Sequence, residues 1–187
     1  MFYVYKRSVL LIVCFLSSMG FASSGIEGQA SLMGSYSKTN YGKNSFSKSI
    51  KYTAAVSINL FPTTEIQLSY TQGQNFVNND PVQTITIQEQ ILSLTVNQTL
   101  VPPRWLVQPY VKVGAAQYNR RQGGTISGIP ETEIYTQSPS AVAGLGMRFF
   151  IASQFSLNGE LVTYVPDFVF SEAKNNLSAQ GGIGWHF

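Results

Sequence analysis

The sequence predicts an all-β fold, an eight-stranded antiparallel up-and-down barrel that crosses a membrane, preceded by a cleavable leader. Three observations predict it. Apolar and polar residues alternate with period two in eight successive segments, the mark of strands with two unlike faces. The connections between those segments alternate in length. Charge is scarce: of 187 residues only 11% are Asp, Glu, Lys or Arg, against about 25% in an ordinary soluble domain. The 44% hydrophobic content speaks against disorder, so the low charge asks what solvent the surface faces.

The leader comes first. Lys6 and Arg7 form a basic start, Val9 to Leu16 is an unbroken apolar run, and Gly20-Phe21-Ala22 is a small-x-small cleavage site. This is the layout of a secretory signal peptide cut after Ala22, which leaves residues 23–187 as the mature domain. The apolar run is shorter than the roughly 20 residues of a membrane-spanning helix. Cys14, the only cysteine, lies inside the run and lacks the small residue before it that a lipoprotein site needs. The mature chain therefore has no disulfide and no cysteine-based metal site. Of 12 basic and 9 acidic residues, Lys6 and Arg7 leave with the leader, so the mature balance is ten against nine. No dense basic stripe remains to hold nucleic acid.

The strands follow at 28–38, 48–61, 64–73, 88–100, 105–119, 139–151, 154–165 and 175–187. Residues 49–60 are the clearest: Ile50, Tyr52, Ala54, Val56, Ile58 and Leu60 share one face, with Lys51, Thr53, Ser57 and Asn59 on the other. The same alternation sets Ile66, Leu68 and Tyr70 against Glu65, Gln67 and Ser69. It sets Leu92, Leu94 and Val96 against Ser93, Thr95 and Asn97, and Leu145, Met147 and Phe149 against Gly144, Gly146 and Arg148. Residues 61–64, 101–104 and 151–154 read as tight turns. Segments 39–47, 74–87, 120–138 and 166–174 read as longer polar loops. Short turns at one end and long loops at the other mark a bacterial outer-membrane barrel, and the even strand count puts both mature termini at the short-turn, periplasmic side. A closed sheet pairs every backbone donor and acceptor without leaving an edge in lipid.

A soluble barrel would bury the apolar row and expose the other. Two features argue against it. The second row carries charges of both signs at mid-strand, which a packed soluble core would bury at several kcal/mol each. Aromatics gather at strand ends: Tyr36, Tyr52 and Tyr70 near the loops, Trp105, Phe149, Trp185 and Phe187 near the turns, as in interfacial girdles.

The carboxyl end, Gln180-Gly181-Gly182-Ile183-Gly184-Trp185-His186-Phe187, adds a third argument. It is similar to the signal read by the machinery that inserts outer-membrane barrels, with Gln180, Gly182, Trp185 and Phe187 in its four places. With that end the chain resembles the small eight-stranded barrels of the outer-membrane protein A and X type and the related surface antigens. Local echoes are Pro109-Tyr110-Val111 and Ala143-Gly144-Leu145-Gly146. The resemblance implies an internal ionic cluster that plugs the lumen. The peptidoglycan-binding domain of the larger members is not expected after Phe187, so no wall-tethering role is implied.

Four charges fall at inward positions, Glu65, Lys112, Arg148 and Glu160, and two acids with two bases can satisfy one another in a narrow lumen. They form either a static plug or a gate that exchanges partners and opens a low-conductance ion path. The lone histidine, His186, lies at the end away from the outer leaflet, and spacing places no serine beside it. A lipid A-modifying hydrolase is therefore the remotest reading, and no cofactor or metal is expected. At the loop end Lys38, Lys43, Lys48 and Lys51, with Arg120 and Arg121, offer contacts for lipopolysaccharide phosphates or an acidic partner. The sequence is thus read as a monomeric surface or structural protein of the outer membrane, not an enzyme, with loops 39–47, 74–87, 120–138 and 166–174 as the places for an external ligand.

Overall fold

A computed structural model of the chain describes residues 27–40, 45–79, 83–126, 129–130, 134–169 and 176–187. The expected leader (residues 1–22) and Lys43 lie outside the described residues. The strands are β1 (Gly28–Asn40), β2 (Ser45–Phe61), β3 (Thr64–Asn79), β4 (Gln83–Thr99), β5 (Val107–Ile126), β6 (Ile129–Pro130), β7 (Ile134–Ala152), β8 (Phe155–Pro166) and β9 (Leu177–His186). They run β4-β3-β2-β1-β9-β8-β7-β5, and β4 pairs β5 to close the sheet. β6 is a two-residue strand paired on β5 alone, so eight antiparallel strands form the wall.

The registers fix the barrel's dimensions. From His186 the cross-strand partners run through Gln29, Ser57, Gln67, Thr95, Gly114, Val142 and Tyr164. The β8–β9 register, last seen at Thr163 with Leu177, then carries the walk to residue 176, ten residues from where it began. Eight strands with that stagger tilt by about 40° and enclose a barrel of roughly 8 Å radius, an interior that side chains can fill.

Burial is the reverse of a soluble protein's. Ser57, Asn97, Ser140 and Ser156 are almost fully buried, while Leu32, Leu68, Leu94, Val113 and Leu145 are each at least half exposed. The apolar row faces out on every spanning strand, as the alternation predicts. On β2 that row runs from Tyr52 to Phe61. At about 3.3 Å per residue and 40° of tilt it is about 23 Å tall, close to the apolar band of outer-membrane barrels. Tyr36 and Tyr52 mark its upper edge, and Phe149, Phe155, Trp185 and Phe187 its lower one, all of them exposed.

The long loops need correction. Segments 74–87 and 120–138 are mostly strand: β3 and β4 stay paired out to Asn79 with Gln83, and β5 and β7 out to Gln122 with Ile134. The reason is physical. Beyond the lipid the outer face has no need to be apolar, so the period-two signal fades while the backbone ladder continues. The β-branched run Thr84-Ile85-Thr86-Ile87 still favours strand there.

Candidate functional site

The polar lumen is the candidate site. Glu65 from β3, Lys112 from β5, Arg148 from β7 and Glu160 from β8 all point inward and are buried. Arg148 Nη2 donates to Glu65 Oε1 at 2.7 Å. Lys112 Nζ donates to Glu160 Oε2 at 2.5 Å. Each carboxylate is saturated further. Glu65 accepts from Ser57 Oγ at 3.0 Å and Asn97 Nδ2 at 2.9 Å. Glu160 accepts from Tyr110 Oη and Gln180 Nε2, both at 2.9 Å. Such saturation is what lets a buried pair repay its desolvation.

Tyr110 joins the two pairs. Its hydroxyl reaches Glu160 while the Arg148 guanidinium lies 5.5 Å from its ring centroid, within cation–π range. The ring has room only because its cross-strand partner on β7 is Gly146. A Cβ there would lie 2.1 Å from the ring. Gly144 stands opposite Lys112 in the same way. The two short motifs of the fifth and sixth spanning strands are thus one packing unit.

Beyond this layer, toward the long hairpins, lies an apolar one. Past Glu160 on β8 come Val162 and Tyr164; past Arg148 on β7 comes Val142; past Lys112 on β5 comes Tyr118; and β4 adds Ile91. These five pack into one buried cluster with Ala116 against it. Ile91 shares the parity of Ser93 and Thr95, so its inward direction was legible, but an apolar septum in a polar lumen was not anticipated. A second ionic layer follows. Lys51 Nζ lies 2.8 Å from Glu89 Oε2, and Asn75 Nδ2 donates to Glu89 Oε1 at 3.0 Å. Gly73 leaves space for the pair, since a Cβ there would sit 3.1 Å from Lys51 Cγ. Lys51 therefore belongs to the lumen and not to the basic rim.

At the short-turn end the lumen opens into a cavity of about 540 Å³ with Glu65 and Arg148 among its walls and His186 at its side. Contrary to expectation, a serine does stand beside His186: Ser156 Oγ is 2.9 Å from His186 Nε2. Ser156 Oγ also donates to Asn158 Oδ1 at 3.0 Å, which leaves His186 as the donor of the other contact. Activating a serine nucleophile needs the opposite direction.

The terminal strand divides by parity. Gln180 and Gly182 face the lumen, where Gln180 Oε1 also accepts from Thr53 Oγ1 at 3.0 Å. A Cβ on Gly182 would lie 1.9 Å from the Leu32 carbonyl oxygen. Trp185 and Phe187 face out with ring centroids 5.4 Å apart. The basic rim also splits. Lys38 and Lys48 are direct cross-strand partners, with Lys38 Nζ 5.2 Å from the Phe46 ring and Lys48 Nζ 5.8 Å from the Tyr36 ring. Arg120 turns inward and its Nη2 donates to Gln122 Oε1 at 3.1 Å, whereas Arg121 is exposed. The two arginines are adjacent in sequence but on opposite faces.

Residues 8–187 match the family model described as "Outer membrane protein beta-barrel domain". No curated protein matches the chain. Among solved structures, the N-terminal β-barrel domain of Pseudomonas aeruginosa OprF is 18% identical, with a TM-score of 0.59 over 87% of this chain and 97% of that one. The outer membrane protein OprG from Pseudomonas aeruginosa is 9% identical, with a TM-score of 0.55 over 87% of this chain and 95% of that one. At these identities the likeness is one of fold.

Proposed function

This chain belongs to the outer-membrane protein β-barrel domain family, and on that premise we propose that it acts as a closed scaffold that holds paired hairpins out of the cell surface. Its role is structural or surface-interacting, and it works as a monomer. Both mature termini are periplasmic in this reading. Gly28 and Phe187 exchange backbone hydrogen bonds of 2.9 and 3.0 Å at the short-turn end, and the short turns are the periplasmic ones in this class of barrel.

One observation carries the proposal: the buried apolar cluster of Ile91, Tyr118, Val142, Val162 and Tyr164 lies between the two ion pairs of the lower network and the Lys51–Glu89 pair above it. Exchanging partners among Glu65, Lys112, Arg148 and Glu160 opens nothing while that layer stays packed. The rival reading is an ion path gated by the same four charges. It draws support from the cavity that reaches Glu65 and Arg148 from the short-turn end. Planar-bilayer recording separates the two. The scaffold reading expects no unitary currents from the wild type, from Glu65→Ala or from Lys112→Ala, and currents only when Ile91, Val142 and Val162 are all cut to Ala. Discrete wild-type openings altered by Lys112→Ala would replace the scaffold with a channel.

Gln180, Gly182, Trp185 and Phe187 serve in this proposal as the recognition end for the insertion machinery. The outward pair Trp185 and Phe187 is the part an insertase meets, and the inward pair locks the last strand. Lys38 and Lys48 are the first candidates for lipopolysaccharide phosphates. They are like charges directly opposite, an arrangement that is unfavourable without a counter-ion, and they lie just past Tyr36 at the lipid edge. Arg121 is the outward cation on the other flank, and Arg120, turned inward, is a poor candidate.

A further inference from the structure

The outer wall above the lipid edge is chemically uneven. On β3 and β4 the last lipid-facing pair is Tyr70 with Leu92. Two residues further on, Gln72 pairs with Gln90, Gln90 with Asn119 across β5, and Asn119 with Gln137 across β7. A second row runs parallel to it: Gln74 pairs with Gln88, Gln88 with Arg121, and Arg121 with Tyr135. Gln72, Gln74, Gln88, Gln90 and Gln137 are exposed. Strands lie about 4.8 Å apart and the rows two residues apart, roughly 6.6 Å, so the amides form a continuous grid across four strands. Gln88, Gln90, Asn119, Arg121 and Tyr135 bound a cavity of about 410 Å³ on this wall. Inside it Asn119 Oδ1 is buried with no hydrogen-bond partner among the described residues.

From this grid we infer a binding shelf for the phosphorylated oligosaccharide of the outer-leaflet glycolipid. Primary amides both donate and accept, as sugar hydroxyls do, and carry no charge to desolvate. Tyr135 supplies an aromatic face for a sugar ring and Arg121 a fork for phosphate. An acyl chain does not fit so polar a wall. Position agrees as well: the first row starts one step past the aromatic edge, at the depth where glycolipid sugars begin. The inference rests on the hairpin end facing outward, as proposed above, and the orphaned Asn119 acceptor is the atom the ligand satisfies.

The test uses the full-length protein in detergent micelles, with rough lipopolysaccharide bearing its complete core oligosaccharide and a truncated form reduced to lipid A alone, without core sugars. The wild type binds the full-core form about tenfold more tightly, and Gln88→Ala/Gln90→Ala/Asn119→Ala abolishes that margin while its affinity for the truncated form is unchanged. Heat-modifiable migration in gels reports that the variant is folded; should the triple variant fail it, Asn119→Ala alone is expected to narrow the margin. Equal affinity of the wild type for both forms overturns the shelf, and so does a triple variant with the margin intact. A wild-type dimer in sedimentation that the triple variant breaks also overturns it, by making the grid a contact between two copies. Orientation is tested separately by labelling Gln137→Cys on intact cells with a membrane-impermeant maleimide. Labelling supports the outward reading, and its absence overturns that reading and the shelf with it.

Discussion

Arg148 and Glu65 show why single side chains matter more in this lumen than on its outer wall. Each is buried, and each is the other's counter-charge at 2.7 Å. Arg148→Ala should therefore cost about 3–5 kcal/mol in urea unfolding from lipid vesicles, because Glu65 is left charged and unpaired. Glu65→Leu/Arg148→Met should cost less than the single change, which inverts the usual expectation that two core changes are worse than one. Strand parity in the sequence already put Glu65, Lys112, Arg148 and Glu160 on the inward face. It did not pair them, because partner choice depends on the stagger between strands far apart in the chain. The place of Tyr110 between the two pairs is not legible for a related reason: its inward direction follows from alternation, but its position depends on the absent side chain of Gly146.

Eight spanning strands and their outward faces were legible because lipid imposes a strict alternation for about ten residues. Outside the lipid that constraint ends, and so did the accuracy of the boundaries; 74–87 and 120–138 read as loops although most of their residues are paired. Of the turns read at 61–64, 101–104 and 151–154, the first and last contain two-residue links at 62–63 and 153–154, where a tight link between antiparallel strands leaves little choice of sequence. The middle one is a longer connection, since β4 ends at Thr99 and β5 begins at Val107. The last strand has two unlike faces with separate tasks. Trp185→Ala/Phe187→Ala removes outward rings and leaves Gln180 and Gly182 in the lumen network. The double variant is expected to accumulate less heat-modifiable barrel in cells, yet to unfold in urea, once refolded in vitro, within about 1–2 kcal/mol of the wild type. Equal cellular yield of the folded form would remove the recognition role from that pair.

At the scale of the whole molecule, eight strands and a stagger of ten give a lumen that side chains fill above an open cavity at the short-turn end, and the filling is layered: charge, hydrocarbon, charge. The first layer was readable from the sequence because ionisable residues at inward positions stand out. The middle layer was not, because Ile91, Val142 and Val162 are ordinary residues whose only signal is parity, and apolar residues in a membrane barrel are first assigned to lipid. The closing seam has a further consequence. Since Gly28 and Phe187 exchange two backbone hydrogen bonds, the ends of the barrel adjoin, and a short linker can splice them. A circular permutant reopened at Pro62-Thr63 is expected to refold in detergent to the same heat-modifiable species, with its strands in a new chain order. Its former first and last strands would then form a covalent hairpin, and the most sequence-distant pairing of the native chain would become a local one.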